Sequence, residues 1–135
     1  MTPAIGAAPP VLRVARASSD LRRARRFYCD ALGLAVLGEF LDHAGFDGLI
    51  VGVAGAQWHL ELVHQRGVHV ARPSVEDLIV LYEPDAARHA EWIARVVAAG
   101  FAPVQSNNPY WDRCGRTFED DDGHRTVIAA RRWPR

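Results

Sequence analysis

The chain has little cysteine, no excess of either charge and no long hydrophobic run. Its two cysteines, Cys29 and Cys114, are too few for a disulfide-stabilised scaffold in a chain of this size. Sixteen basic residues balance sixteen acidic ones, so no net field directs the protein toward nucleic acid or an anionic membrane. No apolar run approaches the ~20 residues that span a bilayer. We therefore expect neither a nucleic-acid partner nor a membrane span.

Residues 1–10 lack the basic start of a signal peptide. They contain Pro3, Pro9 and Pro10 but no Lys or Arg, which predicts a flexible leader. Residues 11–135 are long enough for a single domain that buries roughly two-thirds of its unfolded surface. The lack of a secretion signal, together with the small number of cysteines, predicts a cytoplasmic protein with reduced thiols.

Two parts of the chain repeat the order strand, helix and three strands. In the first part, these elements are predicted at residues 11–17, 21–32, 34–40, 46–53 and 57–64. In the second part, they are predicted at residues 75–83, 84–100, 101–105, 115–119 and 125–130. The repeat predicts an α+β fold of two βαβββ modules, at about residues 11–65 and 75–131.

The two predicted helices begin in the same way. Asp20 and Asp85 stand where a side chain can cap the first turn of a helix. When these two residues are aligned, Phe27 of the first apolar stripe corresponds to Trp92 of the second. Gly33 follows the first stripe at a position typical of a glycine that ends a helix. This correspondence supports an internal duplication.

The strand at 57–64 is the most informative part of the chain. Its odd positions Gln57, His59 and Glu61 are polar, and its even positions are apolar except for His64. Because strand side chains alternate between two faces, one face packs on a core while His59 and Glu61 share the other. A carboxylate and an imidazole on an inward face are costly unless they are paired, hydrated or ligated. This strand face is therefore the first candidate for a binding site.

Two motifs near opposite ends of the chain resemble those of the vicinal oxygen chelate superfamily, the group of glyoxalases, bleomycin resistance proteins and extradiol dioxygenases. Residues 20–34 (DLRRARRFYCDALGL) are similar to its opening motif, and residues 118–124 (FEDDDGH) to its closing turn. The resemblance implies two tandem βαβββ modules that form a U-shaped, cup-like mixed sheet with the helices packed outside. It also implies a homodimer and, in metal-dependent members, four metal ligands that project into the cup.

Carried over onto this chain, the four ligand positions of the superfamily fall on Arg13, Glu61, Leu78 and Val127. A guanidinium has no lone pair to donate to a metal, and Leu and Val have none either. Asp77 is adjacent to Leu78 but out of phase with it. Only Glu61 matches, so the resemblance implies that the usual chelate is absent. Since Arg13 and Glu61 would point at one metal, we expect them to form a charge-assisted pair instead.

Other residues are further candidates for ligand contacts. Tyr82 shares the phase of Leu78 in its strand and can present a hydroxyl to the cup. Asn108, Tyr110 and Trp111 lie in a polar and aromatic segment that suits a small organic ligand, or that connects two elements while its aromatic rings plug the edge of the core.

The sequence supports two functional hypotheses. The first is a protein that binds a small organic molecule in the cup without a metal or other cofactor, through Arg13, His59 and Glu61. The alternative is a lyase or dioxygenase with one divalent metal ion held by altered ligands, such as His43 together with His59 and Glu61. Whether any reaction is catalysed stays open between them.

Overall fold

The computed structural model describes residues 4–134, so residues 1–3 of the predicted leader and Arg135 lie outside the described part of the chain. The elements are β1 (Leu12–Ala17), α1 (Leu21–Arg25) with a π-helical segment (Arg26–Ala31), β2 (Ala35–His43), β3 (Phe46–Gly52), β4 (Trp58–Gln65), β5 (Leu78–Tyr82), α2 (Ala86–Ala98), α3 (Pro109–Cys114), β6 (Gly115–Glu119) and β7 (Arg125–Ala129). The predicted α+β class is confirmed. No helix within residues 4–134 is long and apolar enough to cross a membrane.

The strands form two mixed sheets, one from each half of the chain. The strand order is β1-β4-β3-β2 in the first sheet and β5-β7-β6 in the second. In both sheets the first strand of the half runs parallel to the last one, since β1 pairs with β4 and β5 pairs with β7. The other neighbours are antiparallel. Both halves therefore share the parallel pairing of their first and last strands, as a duplicated module would.

The helices α1 and α2 pack on one face of these sheets and are capped as the sequence predicts. Asp20 accepts a hydrogen bond from the backbone N–H of Arg22, and Asp85 accepts one from the N–H of Arg88, both at 2.9 Å. The main core contains fully buried side chains from the π-helical segment, α2 and both sheets: Phe27, Tyr28, Leu49, Val51, Leu62, Val96, Phe118 and Ile128. Trp92 packs against this core.

The first predicted helix changes its geometry halfway along. It is α-helical over Leu21–Arg25 and π-helical over Arg26–Ala31. The N–H of Leu32 donates to the Phe27 carbonyl, five residues back, at 2.9 Å. The π segment carries the buried side chains Phe27, Tyr28 and Ala31 on the face that packs against the core. Gly33 then ends the helix with φ +79°, as predicted.

The predicted strand at residues 101–105 is wrong. Only Val104 pairs, through a single bridge to Thr117. Immediately after it, the N–H of Ser106 donates to the Asp112 carboxylate at 3.0 Å, which turns the chain away from β6. Proline at position 103 also lacks the N–H that a ladder needs. The second sheet therefore has three strands instead of four.

The polar and aromatic segment that includes Asn108, Tyr110 and Trp111 contains the short helix α3. The Asn108 side chain caps it by accepting from the N–H of Tyr110 at 3.0 Å, and Pro109 occupies its first turn. An Asn-Pro pair at the start of a helix is a recognisable signal that the sequence prediction did not use.

Arg16 connects the two halves of the molecule from within the core. Its side chain is buried, and Nη1 donates to the Tyr28 hydroxyl at 2.9 Å and to Thr126 Oγ1 at 3.2 Å. Nη2 donates to the Arg125 carbonyl at 2.6 Å. The Tyr28 hydroxyl in turn donates to Asp120 Oδ2 at 2.7 Å. We call Arg16, Tyr28, Asp120 and Thr126 the Arg16 network; it joins β1 and the first helix to β7 and the turn before it.

Tyr28 should make the stability of the protein fall at alkaline pH. Burial, the largest cause, raises the pKa of its phenol above the usual value of about 10. A raised folded-state pKa means that its contribution is complete below pH ~10 and is lost as the pH rises further, because only the unfolded chain then ionises. Between pH 10 and 11, the free energy of unfolding should fall by up to ~1.4 kcal/mol through this group.

Chemical denaturation of the wild type and of Tyr28→Phe across pH 8 to 11 measures this effect. The variant retains the ring and lacks the phenol, so the two curves should converge as the pH rises. Parallel curves would show that the Tyr28 hydroxyl does not remain protonated in the folded protein.

Candidate ligand-binding site

One face of the first sheet brings Arg13, His59 and Glu61 together. The parallel pairing of β1 and β4 sets Arg13 opposite His59, and Glu61 follows two residues later on the same face. Arg13 Nε donates to His59 Nε2 at 2.8 Å, and Arg13 Nη1 lies 3.3 Å from Glu61 Oε2. The predicted pair between Arg13 and Glu61 is thus present. We call this surface the Arg13 face.

The three groups have defined hydrogen-bonding roles. Because His59 Nε2 accepts from Arg13, its ring proton belongs on Nδ1. The Glu61 side chain is only 15% exposed, while that of Arg13 is 47% exposed, so the guanidinium is the part most accessible to a ligand. A guanidinium has five N–H donors in a planar fork that matches carboxylate and phosphate groups. The arrangement can therefore bind an anionic oxygen beside a partly exposed carboxylate.

The neighbouring strands add an apolar surface beside these polar groups. Ile50 of β3 pairs with Glu61, and Gly52 pairs with His59. A Cβ added at Gly52 would lie 3.2 Å from Leu37 Cδ1 and 3.3 Å from His59 Cβ, so the Leu37 side chain lies over this glycine beside the imidazole. The alternation of side chains along β3 indicates which of them share one face. Only the structure shows the strand register that places Ile50 beside Glu61.

A recess of about 290 Å³ opens beside His59 where the two sheets meet. Leu12 and Trp58 line it from the first sheet, and Leu78 and Val80 from the second. His59 is thus a polar side chain among apolar walls, a composition typical of sites for small organic molecules.

The candidate ligand contacts in the second half of the chain do not lie on the Arg13 face. Tyr110 and Trp111 of α3 pack against a second apolar cluster, which contains Leu78, Val80, Cys114, Val127 and Ala129. Their rings form an edge-to-face pair with centroids 5.0 Å apart. The side chains of α3 therefore cover part of the sheet surface formed by Leu78, Val80 and Val127. Asn108 caps that helix, and Tyr82 lies at the end of β5 with 41% of its surface exposed.

The alternative metal site at His43, His59 and Glu61 is not assembled. His43 is level with Gln65 of β4, six residues along the strand from His59, a distance of roughly 20 Å. Within residues 4–134, no group of three or more His, Cys, Asp or Glu side chains is placed to hold a metal ion. At the positions that the superfamily uses for metal ligands, Val127 is fully buried and Leu78 packs in the same apolar cluster. These residues do not fit the usual chelate.

Comparisons with known proteins give a consistent result. A model of the YycE-like N-terminal domain matches residues 12–63, and a model of the YycE-like C-terminal domain matches residues 76–130. The uncharacterized protein YycE of Bacillus subtilis (strain 168) is 38% identical over 118 residues, which cover 87% of this chain and 85% of YycE. A crystal structure of a YycE protein of unknown function from Bacillus subtilis has a TM-score of 0.82 at 36% identity, covering 89% of this chain and 88% of that one.

More distant structures share the architecture. TnmS3, an antibiotic binding protein from Streptomyces sp. CB03234, has a TM-score of 0.64 at 25% identity and covers 92% of this chain and 97% of its own. At lower identity, the fold alone is shared with glyoxalase, bleomycin resistance and fosfomycin resistance proteins.

Proposed function

The chain belongs to the YycE-like family, within the vicinal oxygen chelate superfamily, and from this premise we propose that it binds a small organic molecule at the Arg13 face without a metal ion. One observation carries the proposal. The Arg13 guanidinium contacts both His59 and Glu61. Without Arg13, the side chains of His59 and Glu61 would be free to ligate a metal. In this structure both contact the positively charged guanidinium instead.

The contacts indicate the chemistry of the ligand. Arg13 supplies donors for a carboxylate, phenolate or other anionic oxygen, and Glu61 accepts from a hydroxyl or amine. Leu37 and Ile50 provide apolar contacts beside them. We therefore expect a ligand with an apolar or aromatic body that carries an acidic group next to a hydrogen-bond donor. The description of TnmS3 as an antibiotic binding protein supports an antibiotic or a related natural product as the ligand class.

The experiment is a thermal-shift screen of aromatic carboxylic acids and natural-product antibiotics, followed by calorimetric titration of the best compound. A specific ligand raises the melting temperature by mass action. Arg13→Gln removes the charge-assisted donor and should weaken binding about tenfold or more. Arg66→Gln is the control, because Arg66 is another half-exposed arginine, held by Asp47 in an ion pair of its own. Equal loss in both variants, or a screen in which no compound stabilises the wild type, would contradict the proposal.

We also propose that the protein is a cytoplasmic homodimer. Both cysteines are free thiols, which suits a reducing compartment. Val36, Leu37 and Leu41 are exposed on β2, the edge strand of the first sheet, and an exposed apolar edge favours association. Light scattering on the purified chain measures the mass, and a monomer at micromolar concentration would contradict the dimer.

A further inference from the structure

A groove of about 880 Å³ lies away from the Arg13 face, between α2 and the segment where α3 joins β6. Its α2 side is apolar and is formed by Ala90, Ile93, Ala94, Val97 and Ala98, with His89 at one end. These positions extend over nine residues of helix, which correspond to roughly 14 Å. The short alanine side chains leave space between the helix and the opposite wall. The groove is therefore long and has an apolar floor.

Three arginines line the same groove, and no carboxylate does. Arg113, Arg116 and Arg131 contribute to the lining, which contains no Asp or Glu. Elsewhere on the described surface, arginines such as Arg66 and Arg72 form ion pairs. None of the three groove arginines has a carboxylate within ion-pair distance among residues 4–134. The groove thus combines an apolar floor with three arginines that form no ion pair within the described part of the chain.

The backbone holds these arginines in place. The N–H of Ala130 donates to the Cys114 carbonyl at 2.7 Å, which fixes the end of α3 beside the residues that follow β7. Gly115 permits this close approach, since a Cβ there would lie within 3.0 Å of the Ala129 Cα. The Arg131 guanidinium lies 5.7 Å from the centre of the Tyr110 ring, within cation–π distance. The arginines therefore lie on defined backbone at the end of the second sheet where β6 begins and β7 ends.

We propose that this groove is a second binding site, for a small organic acid with an extended apolar body, of the type of a medium-chain fatty acid. The apolar part would lie along Ala90, Ala94 and Val97, and the acid group would accept hydrogen bonds from Arg113 and Arg131. The inference is separate from the proposed function, because none of these residues belongs to the Arg13 face. The charge selects a carboxylate over a neutral amphiphile, since a guanidinium forms charge-assisted hydrogen bonds with an anionic oxygen.

Titration of the full chain with decanoate, followed by amide NMR, tests the proposal. Low-millimolar decanoate should shift the amide signals of residues 90–98, 113–116 and 130–131. Decanol has the same chain without the charge, and acetate has the charge without the chain, so both should bind about tenfold or more weakly than decanoate. The double variant Arg113→Gln/Arg131→Gln should weaken decanoate binding by a similar factor.

Three more variants separate the possible outcomes. Ala94→Trp fills the groove from an exposed helix position and should abolish the shifts, whereas Arg88→Gln, an exposed arginine on α2 outside the groove, should leave them unchanged. Arg13→Gln should also leave decanoate binding unchanged, even where it abolishes binding of a ligand at the Arg13 face. Equal binding of decanol and decanoate, shifts confined to residues near Arg13, or no shift at all would each overturn the proposal.

Discussion

Replacing Arg16 by methionine should lower the free energy of unfolding by about 3 to 5 kcal/mol, the range for removing one partner of a buried charged network. Methionine largely replaces the aliphatic part of the arginine side chain. The loss of stability therefore comes from the polar groups around it that no longer have their hydrogen-bond partner. The Thr126 hydroxyl and the Arg125 carbonyl lose a donor, and the Asp120 carboxylate loses the nearby cation that acts through Tyr28. A buried polar group without a partner is costly.

Arg13→Met is the matched control for this prediction. The two arginines lie three residues apart on β1, but Arg13 is half exposed and pairs with Glu61 at the surface. An exposed ion pair contributes little, so the control should change the free energy of unfolding by less than about 1 kcal/mol. Urea denaturation of both variants gives the comparison. Similar losses in the two would show that Arg16 contributes only its packing.

Arg16→Lys tests whether the guanidinium itself is needed or only its positive charge. The chain contains sixteen arginines and no lysine. A guanidinium is a planar fork that can donate to several acceptors at once, whereas an ammonium is a compact point charge. Arg16 donates to a hydroxyl of Tyr28, a hydroxyl of Thr126 and a backbone carbonyl. Lysine should therefore recover only part of the stability that methionine removes.

The duplicated architecture could be predicted because its signals are local and occur twice. Asp20 and Asp85 cap the two helices, and the alternation of β4 assigns His59 and Glu61 to one face. The pair between Arg13 and Glu61 followed from the superfamily resemblance, which assigned both residues to one point. Each of these inferences needed only a short stretch of sequence and a known period.

The role of Arg16 could not be predicted in the same way. The strand period places it on the apolar face of β1, yet two of its three acceptors, the Arg125 carbonyl and the Thr126 hydroxyl, lie more than a hundred positions later in the sequence. The prediction of a strand at residues 101–105 was wrong for a related reason. Residues 101–105 leave the sheet where the Ser106 N–H donates to Asp112, and Trp111 packs against the cluster of Cys114, Val127 and Ala129. Neither contact is marked by a periodic pattern in the sequence. The three arginines of the groove are likewise brought together by strand pairing.

Arg13→His should convert the Arg13 face into a metal site. The substitution places a second imidazole opposite His59 and beside Glu61, which gives two nitrogen ligands and one oxygen ligand, a set that zinc accepts in proteins. It also removes the guanidinium that now pairs with both ligands. With zinc at 100 times its dissociation constant, the free energy of unfolding should rise by about 2.7 kcal/mol. The wild type should show no such response.

The double variant Arg13→His/Glu61→Gln is the control, since it retains the imidazoles and lacks the carboxylate ligand. It should respond to zinc more weakly than the single variant. Denaturation with and without zinc or nickel measures all three proteins under the same conditions. A wild type that is stabilised as strongly as Arg13→His would mean that the guanidinium does not exclude a metal, and the metal-dependent hypothesis would then replace the proposed function. No response in the single variant would mean that position 13 does not converge with His59 and Glu61 on one point, although the hydrogen bonds of Arg13 to both side chains predict that it does.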